Sequence, residues 1–302
     1  MILGLGGVVI DRSLVIPDIP GWDTVLHAHA YSTQQGGMVA TALATSSRLG
    51  IKSEFVGAIG NDDAGGFIMK KFIENRVSCP RIRVMEDKPS PCSICLVNAS
   101  TGTRTIIHYK GVQFHDSLDL DIDLYGIKIL HLDGYWPVTA LDTARRAREQ
   151  GITVMLDPSS TVIDLEYRDE LLSYIDYFMP GYGFGKMMTG EHDPEAICRA
   201  LYLNSMKAVI LTHGDSGAFI FDGESFKNIP AFRIGAVDTT GAGDVFHGAF
   251  MAGYLWGYEI EKNCIFANAA AALKCGKVGG QAGIPYKHDG FEFLRKEGYD
   301  FE

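Results

Sequence analysis

The sequence predicts an α/β protein that is built on a mostly parallel sheet and forms a single domain over residues 1–302. Short apolar runs alternate with longer stretches of helical pattern, which is the order that βαβ crossovers produce. The 35 glycines suit the many turns that such a chain needs between strands and helices. With 46% hydrophobic and 21% charged residues, a chain of this length can bury one large core.

The first half of the chain predicts two strand-and-helix pairs. An apolar run over residues 2–10 predicts a buried first strand, and an Ala- and Thr-rich helix follows at residues 38–49 and ends at Gly50. A second strand is predicted at residues 51–59 and a second helix at residues 65–75. These elements start the alternating pattern.

Two polar segments interrupt this pattern. Residues 12–33 contain prolines and short β-like runs, and residues 90–112 contain two β-like runs on either side of residues 98–102. Alternating runs that flank a short polar stretch with a glycine predict a hairpin in the second segment. We expect the two segments to form an insertion in the α/β domain.

The second half repeats the strand-and-helix unit. Parallel strands are predicted at residues 127–132, 152–156, 177–179 and 208–212, and crossover helices at residues 139–150, 165–174 and 194–203. Polar residues follow several predicted strands, namely Asp11, Asp133, Asp157 and His213. Each alone is typical of a turn cap, but together they outline a cleft at the edge where open α/β sheets bind ligands.

Charge and cysteine content limit the partners of the chain. A net charge of −10 and a pI near 5.4 give no basic surface for nucleic acid or an anionic membrane, so we expect a small-molecule partner. The six cysteines are scattered, and the one C-x-x-C pair lacks a second pair for a zinc site. We interpret them as reduced thiols and expect a cytoplasmic location. The apolar N-terminus is too short, and lacks the basic leader, for a signal peptide.

The most informative string lies at residues 237–246, where small residues precede an apolar helix that starts near Asp244. Gly241 and Gly243 let a phosphate approach the backbone, and the N–H groups of Gly241, Ala242 and Gly243 form an anion cradle at the positive end of the helix. We expect Asp244 to stay ionised near its ordinary pKa and to accept a hydroxyl proton late in phosphoryl transfer. The alternative is an ordinary capped helix start.

The whole string, continued by residues 247–250, resembles the second signature of the ribokinase-like (PfkB) carbohydrate kinase family. The resemblance implies a three-layer α/β/α fold with a central mostly parallel sheet and a small β-sheet lid made from residues 12–33 and 90–112. It implies ATP and Mg²⁺ as cofactors and a homodimer that forms through the lid. The closest pattern is that of the sulfofructose kinase branch.

The resemblance extends to a sugar site. Residues 36–42 and 56–62 are similar to the first signature of the family, in which Gly36 and Gly37 let a sugar approach the backbone. Asp11 matches the carboxylate that holds sugar hydroxyls. Thr41 stands where the family usually has asparagine, and its shorter reach puts the sugar preference in doubt.

The resemblance also implies nucleotide and cation contacts. Thr212, Gly214 and Gly217 match the turn that lies against the nucleotide, and Asn268 lies on the helix that borders the adenine; ordinary helix packing is the alternative for Asn268. Many family members bind a monovalent cation, K⁺ for example, beside the anion cradle. The residues that match its ligands are Asp238, Thr240, Gly279 and Gly283.

Two further features concern Mg²⁺ and the phosphate acceptor. The N-x-x-E element that organises Mg²⁺ in the family is replaced by residues 180–184, which contain neither Asn nor Glu. Val25 and Tyr135 offer no cation for a sulfonate, so we expect an uncharged acceptor. Aromatic side chains at His108, Tyr109, Tyr135 and Trp136 could line the acceptor pocket, or else pack in the lid and core.

The resemblance therefore predicts an ATP-dependent kinase that transfers the γ-phosphate to a primary hydroxyl of a ketose, a pentose or a similar small molecule. Asp244 is the predicted base. A nucleoside kinase is one alternative. A catalytically weak sugar- or nucleotide-binding protein is the other, because the N-x-x-E element is missing.

Overall fold

The structure is a computed structural model that describes residues 1–113, 117–158 and 166–301. Within these residues, eight strands form one sheet in the order β14-β13-β12-β11-β10-β9-β1-β4. Its strands are β1 (Ile2–Leu5), β4 (Ser53–Val56), β9 (Ile129–Leu132), β10 (Thr153–Leu156), β11 (Tyr177–Phe178), β12 (Ala208–Thr212), β13 (Ala218–Phe221) and β14 (Phe226–Ile229). The six strands from β4 to β12 are parallel, whereas β13 and β14 are antiparallel.

Helices cover both faces of this sheet. They are α1 (Met38–Arg48), α2 (Asp63–Glu74), α3 (Pro137–Glu149), α4 (Arg168–Ser173), α5 (Tyr182–Thr189), α6 (Pro194–Leu201), α7 (Ala242–Leu255), α8 (Ile260–Cys275) and α9 (Lys287–Lys296). Alternate residues of one strand enter different cores: Ile129 packs with α1, α7 and α8, and Leu130 packs with α3 and α6. Two cores on opposite faces make the three-layer arrangement that the sequence predicts.

A second sheet of four strands has the order β3-β2-β7-β8. Its strands are β2 (Val9–Ile16), β3 (Ala30–Gly36), β7 (Cys92–Asn98) and β8 (Arg104–Tyr109). The hairpin predicted in residues 90–112 is present as β7 and β8, and the predicted lid segments supply most of this sheet. A short pair, β5 (Ala58–Gly60) and β6 (Arg83–Met85), lies apart from both sheets.

Glycines divide two runs that the sequence predicts as single strands. The run at residues 2–10 splits at Gly6 and Gly7 into β1 and β2, which belong to different sheets. A Cβ at Gly6 would collide with the Asp133 carboxylate, and one at Gly57, between β4 and β5, would lie 2.7 Å from the Gly6 carbonyl. Asp11 therefore lies inside β2 of the small sheet and not, as predicted, at the edge of the large one.

Candidate active site

The anion cradle is the N-terminus of α7. Gly241 is the N-cap residue with a φ of 75°, a left-handed conformation that favours glycine. The N–H groups of Gly241, Gly243 and Asp244 meet no hydrogen-bond acceptor among the described residues. The Ala242 N–H donates to the Thr239 carbonyl at 3.2 Å, so the prediction that Ala242 contributes a free amide is wrong. Three free donors at a helix N-terminus still suit an anion.

Asp244 lies in the first turn of α7 and is half-buried. Burial raises its pKa, and the negative charges of Asp157 and Asp11 raise it further, while His247 and Lys274 act in the opposite direction. The expectation that Asp244 keeps its ordinary pKa is therefore wrong, because the helix end does not outweigh burial and two carboxylates. Because the charge of Asp11 affects the pKa of Asp244, the predicted base and the predicted sugar-binding carboxylate lie in one site.

A buried pair of Asp157 and His247 lies beside Asp244. Asp157 directly follows β10, and its Oδ2 is 2.6 Å from Nδ1 of His247, one turn along α7 from Asp244. Burial alone favours a neutral His247 ring, but the Asp157 carboxylate raises the pKa of His247 above its ordinary value. His131 on β9 lies 6.1 Å from His247 between ring centroids, and burial lowers its pKa to about 4. Neither histidine is predicted as a site residue from the sequence, although His247 directly follows the string at residues 237–246.

Asp133 acts as a turn cap. Its carboxylate is fully buried and accepts the N–H groups of Gly7 at 2.8 Å and Tyr135 at 2.9 Å. Burial raises the pKa of Asp133 to about 7 and that of the Tyr135 phenol to about 12. Trp136 is buried and donates from Nε1 to the Gly6 carbonyl at 3.2 Å, so it is a core residue rather than a pocket wall.

The predicted sugar-binding residues gather where the small sheet meets α1. A Cβ at Gly36 would overlap the Asp11 carboxylate, so glycine is required for Asp11 to lie there. Gly37 is the N-cap residue of α1 with a φ of 101°. Burial raises the pKa of Asp11 to about 6, and a hydrogen bond from Ser93 opposes that shift.

The small sheet also reaches towards the anion cradle. Arg104 on β8 donates from Nη1 to Oγ1 of Thr239 at 3.3 Å. On the same strand, His108 lies with Nδ1 at 3.1 Å from Oγ of Ser93, and the Tyr109 side chain is exposed. Through Arg104, the small sheet contacts the segment that leads into the anion cradle.

Thr41 and Asn268 are engaged in packing. Thr41 is buried, and its Oγ1 accepts from Nε2 of Gln281 at 3.3 Å, which ties α1 to the loop after α8 and does not present the hydroxyl to a sugar. Nδ2 of Asn268 donates to the carbonyls of Ile229 at 3.0 Å and Pro230 at 3.1 Å. Helix packing, the alternative for Asn268, is therefore what the structure shows.

The nucleotide-binding residues predicted after β12 form a tight turn. Thr212 ends β12, Gly214 has a φ of 50°, and Gly217 has a φ of 90°. A Cβ at Gly217 would collide with the backbone after β14, so this turn depends on a close approach. The His213 ring stacks on Tyr182 with centroids 3.8 Å apart.

One predicted cation ligand, the Asp238 carbonyl, already contacts an ammonium group. Nζ of Lys274 donates to the Asp238 carbonyl at 2.7 Å. The Asp238 carboxylate accepts from the N–H groups of Thr240 at 2.8 Å and Gly279 at 2.7 Å. Burial acts to raise the pKa of Asp238, but these hydrogen bonds outweigh it and lower the pKa, so the carboxylate is ionised. This donor set does not fit an additional monovalent cation at the Asp238 carbonyl.

Side-chain clusters do not supply a metal site either. Among the residues that the structure describes, no group of three or more His, Cys, Asp or Glu side chains could hold a metal ion. Phe184, in the segment 180–184 that replaces the N-x-x-E element, packs edge-on against Phe178 in the core. In the described part of the chain no helix has the length and apolar character of a membrane span, and all six cysteines are free.

The chain was compared with known families, curated proteins and solved structures. A model of the pfkB family carbohydrate kinases matches residues 2–287. Ribokinase of Haemophilus influenzae is 26% identical over 302 residues, which cover 96% of this chain and 97% of that protein. ATP-dependent 6-phosphofructokinase of Thermoanaerobacterium thermosaccharolyticum is 28% identical over 271 residues, which cover 84% of this chain and 83% of that protein. The structure of Arabidopsis thaliana ribokinase complexed with ribose and ATP aligns with a TM-score of 0.85 at 25% identity and covers 97% of this chain and 98% of that one. The chain therefore belongs to the pfkB family of carbohydrate kinases.

Proposed function

We propose that this protein is an ATP-dependent kinase that phosphorylates a primary hydroxyl of a sugar or sugar-like small molecule. The observation that carries the proposal is that three N–H groups without an acceptor in the described part of the chain lie in the same first turn of α7 as Asp244. An anion site and a base at one point are what phosphoryl transfer to a hydroxyl needs. The relatives named ribokinase and 6-phosphofructokinase support a sugar as the acceptor.

In the proposed reaction, Asp244 accepts the proton of the sugar hydroxyl while its oxygen bonds to the γ-phosphorus of ATP. The bond from the γ-phosphorus to the bridging oxygen of ADP breaks, and ADP leaves. The N–H groups of Gly241 and Gly243 bind the charge that develops on the phosphate oxygens. Asp11 accepts hydrogen bonds from other sugar hydroxyls and orients the attacking one.

Mg²⁺ would neutralise charge on the ATP phosphates. Because residues 180–184 contain neither Asn nor Glu, we propose that the metal is held mainly by the nucleotide and water. A monovalent cation, the other cofactor that the resemblance implies, is not part of the proposal, since Lys274 already donates to the Asp238 carbonyl.

The small sheet suggests the assembly. Its outer strand β8 is exposed along its whole length and carries Ile106 and Ile107, which are 50% and 57% exposed. Trp22, in the segment between β2 and β3, is also fully exposed. We propose that the sheet is a lid, excludes water from the site and pairs with a second copy of this chain. The free cysteines support a cytoplasmic location.

The test is ADP release over a panel of ketoses, aldopentoses, inositols and nucleosides. We expect one sugar class to give turnover, whereas a binding protein without catalysis would bind without releasing ADP. Asp244→Asn should lower kcat by about 10²- to 10⁴-fold with ATP affinity retained, because only the proton acceptor is removed. Asp142→Asn, on the exposed face of α3, is the matched control. If the Asp244→Asn protein has the kcat of the wild type, Asp244 is not the base.

A further inference from the structure

Lys274, in the last turn of α8, is unusually buried for a lysine. A lysine there normally extends into water beside the C-terminal carbonyls of the helix. The Lys274 side chain is instead completely buried, and its ammonium group donates to the carbonyl of Asp238, six residues before the predicted base. Burying a charge is costly unless partners satisfy it, so this placement calls for a compensating role.

The charges that face this ammonium group come from several elements. Asp238 and Asp244 are its acidic neighbours, and Arg104 from the small sheet is the competing cation. The Cys275 thiol of α8 also faces it. Burial lowers the pKa of Lys274, whereas the negative charges of Asp238 and Asp244 act to raise it and so favour the ammonium form.

The backbone around Lys274 is the backbone that leads into the anion cradle. The Cys275 carbonyl accepts the N–H groups of Val237 at 2.8 Å and Asp238 at 3.1 Å. The loop after α8 returns over the same place, because Gly283 packs on the Lys274 backbone so closely that a Cβ would overlap its carbonyl. Lys274 thus lies between the two segments that the resemblance assigns to the monovalent cation, residues 238–240 and 279–283.

We propose that the Lys274 ammonium group takes the place of the monovalent cation and orders the anion cradle as a built-in charge. The Lys274 ammonium group carries one positive charge and donates a hydrogen bond to the Asp238 carbonyl, so it holds this carbonyl in place as a bound cation would. A second cation at the same carbonyl would face strong repulsion at contact distance. The nucleotide site of this protein is therefore independent of K⁺. This inference goes beyond the proposed function, because it concerns how the loop is ordered and not which acceptor is phosphorylated.

The first test uses the wild-type protein. Thermal unfolding and calorimetric binding of Mg·ADP are measured in KCl, NaCl and tetramethylammonium chloride at equal ionic strength. We expect the same melting temperature and the same Kd in all three salts. A rise in melting temperature or nucleotide affinity that is specific to K⁺ would overturn the proposal. The unfolding measurement needs no catalysis, so it stays informative even if no acceptor is found.

The second test uses Lys274→Ala, which removes the charge and leaves room for a small cation. In tetramethylammonium chloride we expect weaker Mg·ADP binding by about tenfold, with K⁺ or NH₄⁺ restoring most of the loss. The control is Lys277→Ala, an exposed lysine one turn further along, which should bind ADP like the wild type in every salt. A folded Lys274→Ala protein that binds ADP normally without K⁺, or that no small cation restores, would show that Lys274 does not act as the cation. If Lys274→Ala does not fold, the wild-type measurement decides.

Discussion

Replacing His247 by glutamine should move the pH dependence of catalysis. Asp244 must be ionised to accept a proton, so activity is lost as the pH falls through its pKa. The protonated His247 stabilises the ionised form of Asp244, whereas the Asp157 carboxylate destabilises it. Glutamine keeps a hydrogen-bond donor for Asp157 but removes the positive charge. The pKa of Asp244 then rises, and the acid limb of the kcat/KM profile moves to higher pH.

The size of this shift follows from the spacing of the two residues. Asp244 and His247 are three residues apart on α7, which places their Cβ atoms about 5–6 Å apart. At an effective dielectric constant of ~20, one unit charge at that distance contributes about 3 kcal/mol. Since one pKa unit corresponds to ~1.4 kcal/mol, the acid limb should move up by about 2 pH units.

The assay is kcat/KM from ADP release, measured between weakly acidic and alkaline pH with the best acceptor of the panel. The matched control is His131→Gln, because the pKa of His131 lies near 4 and its ring carries no charge at neutral pH. The double variant Asp157→Asn/His247→Gln loses both charges, so its limb should return to the wild-type position or below. A His247→Gln limb at the wild-type pH, with activity lowered equally at every pH, would refute the electrostatic reasoning.

Two further predictions concern the small sheet. Gly36→Ala should raise KM for the sugar by about tenfold with ATP binding unchanged, because the new Cβ displaces the Asp11 carboxylate. The control is Gly66→Ala on α2, whose Cβ meets open space and should leave KM unchanged. Steady-state kinetics of both variants checks this, and an unchanged KM for Gly36→Ala would show that Asp11 does not bind the sugar. Ile106→Asp should convert the proposed homodimer to monomer in sedimentation equilibrium, because a charge would be buried at the shared sheet edge. The control is Val84→Asp, on the separate β5-β6 pair, which should leave the dimer intact. If Ile106→Asp remains a dimer, the interface does not lie at β8.

Much of the main sheet could be predicted because its parallel strands are buried on both faces and therefore appear as apolar runs. The run at residues 208–212 matches β12 without a shift. The strand breaks at Gly6 and Gly57 could not be predicted, since they depend on side chains and backbone that approach from distant parts of the chain. The sequence does not predict the antiparallel β13 and β14, nor α5, whose glycines disfavour a helix.

The candidate site shows the same division. Asp244 and the glycines of the anion cradle belong to one short string, so their meeting could be predicted. The buried Asp157–His247 pair joins residues 90 positions apart, and the raised pKa of Asp244 depends on Asp157 and on the still more distant Asp11, so only the fold brings these groups together. Lys274 resembles an ordinary solvent-exposed helix lysine in the sequence, and its contacts with Asp238 and Gly283 come from segments that only the fold brings to it.

Asp11 belongs to β2, whereas Asp244 belongs to a helix packed on the large sheet. Any displacement of the small sheet therefore carries one carboxylate away from the other. If a sugar contacts both acids, its binding favours one position of the small sheet relative to the large sheet. Sugar binding and that sheet position are then coupled, and the coupling is reciprocal. A second copy of the chain that holds the small sheet in this position must therefore raise the affinity for the sugar, and the sugar must raise the affinity between the two copies by the same factor.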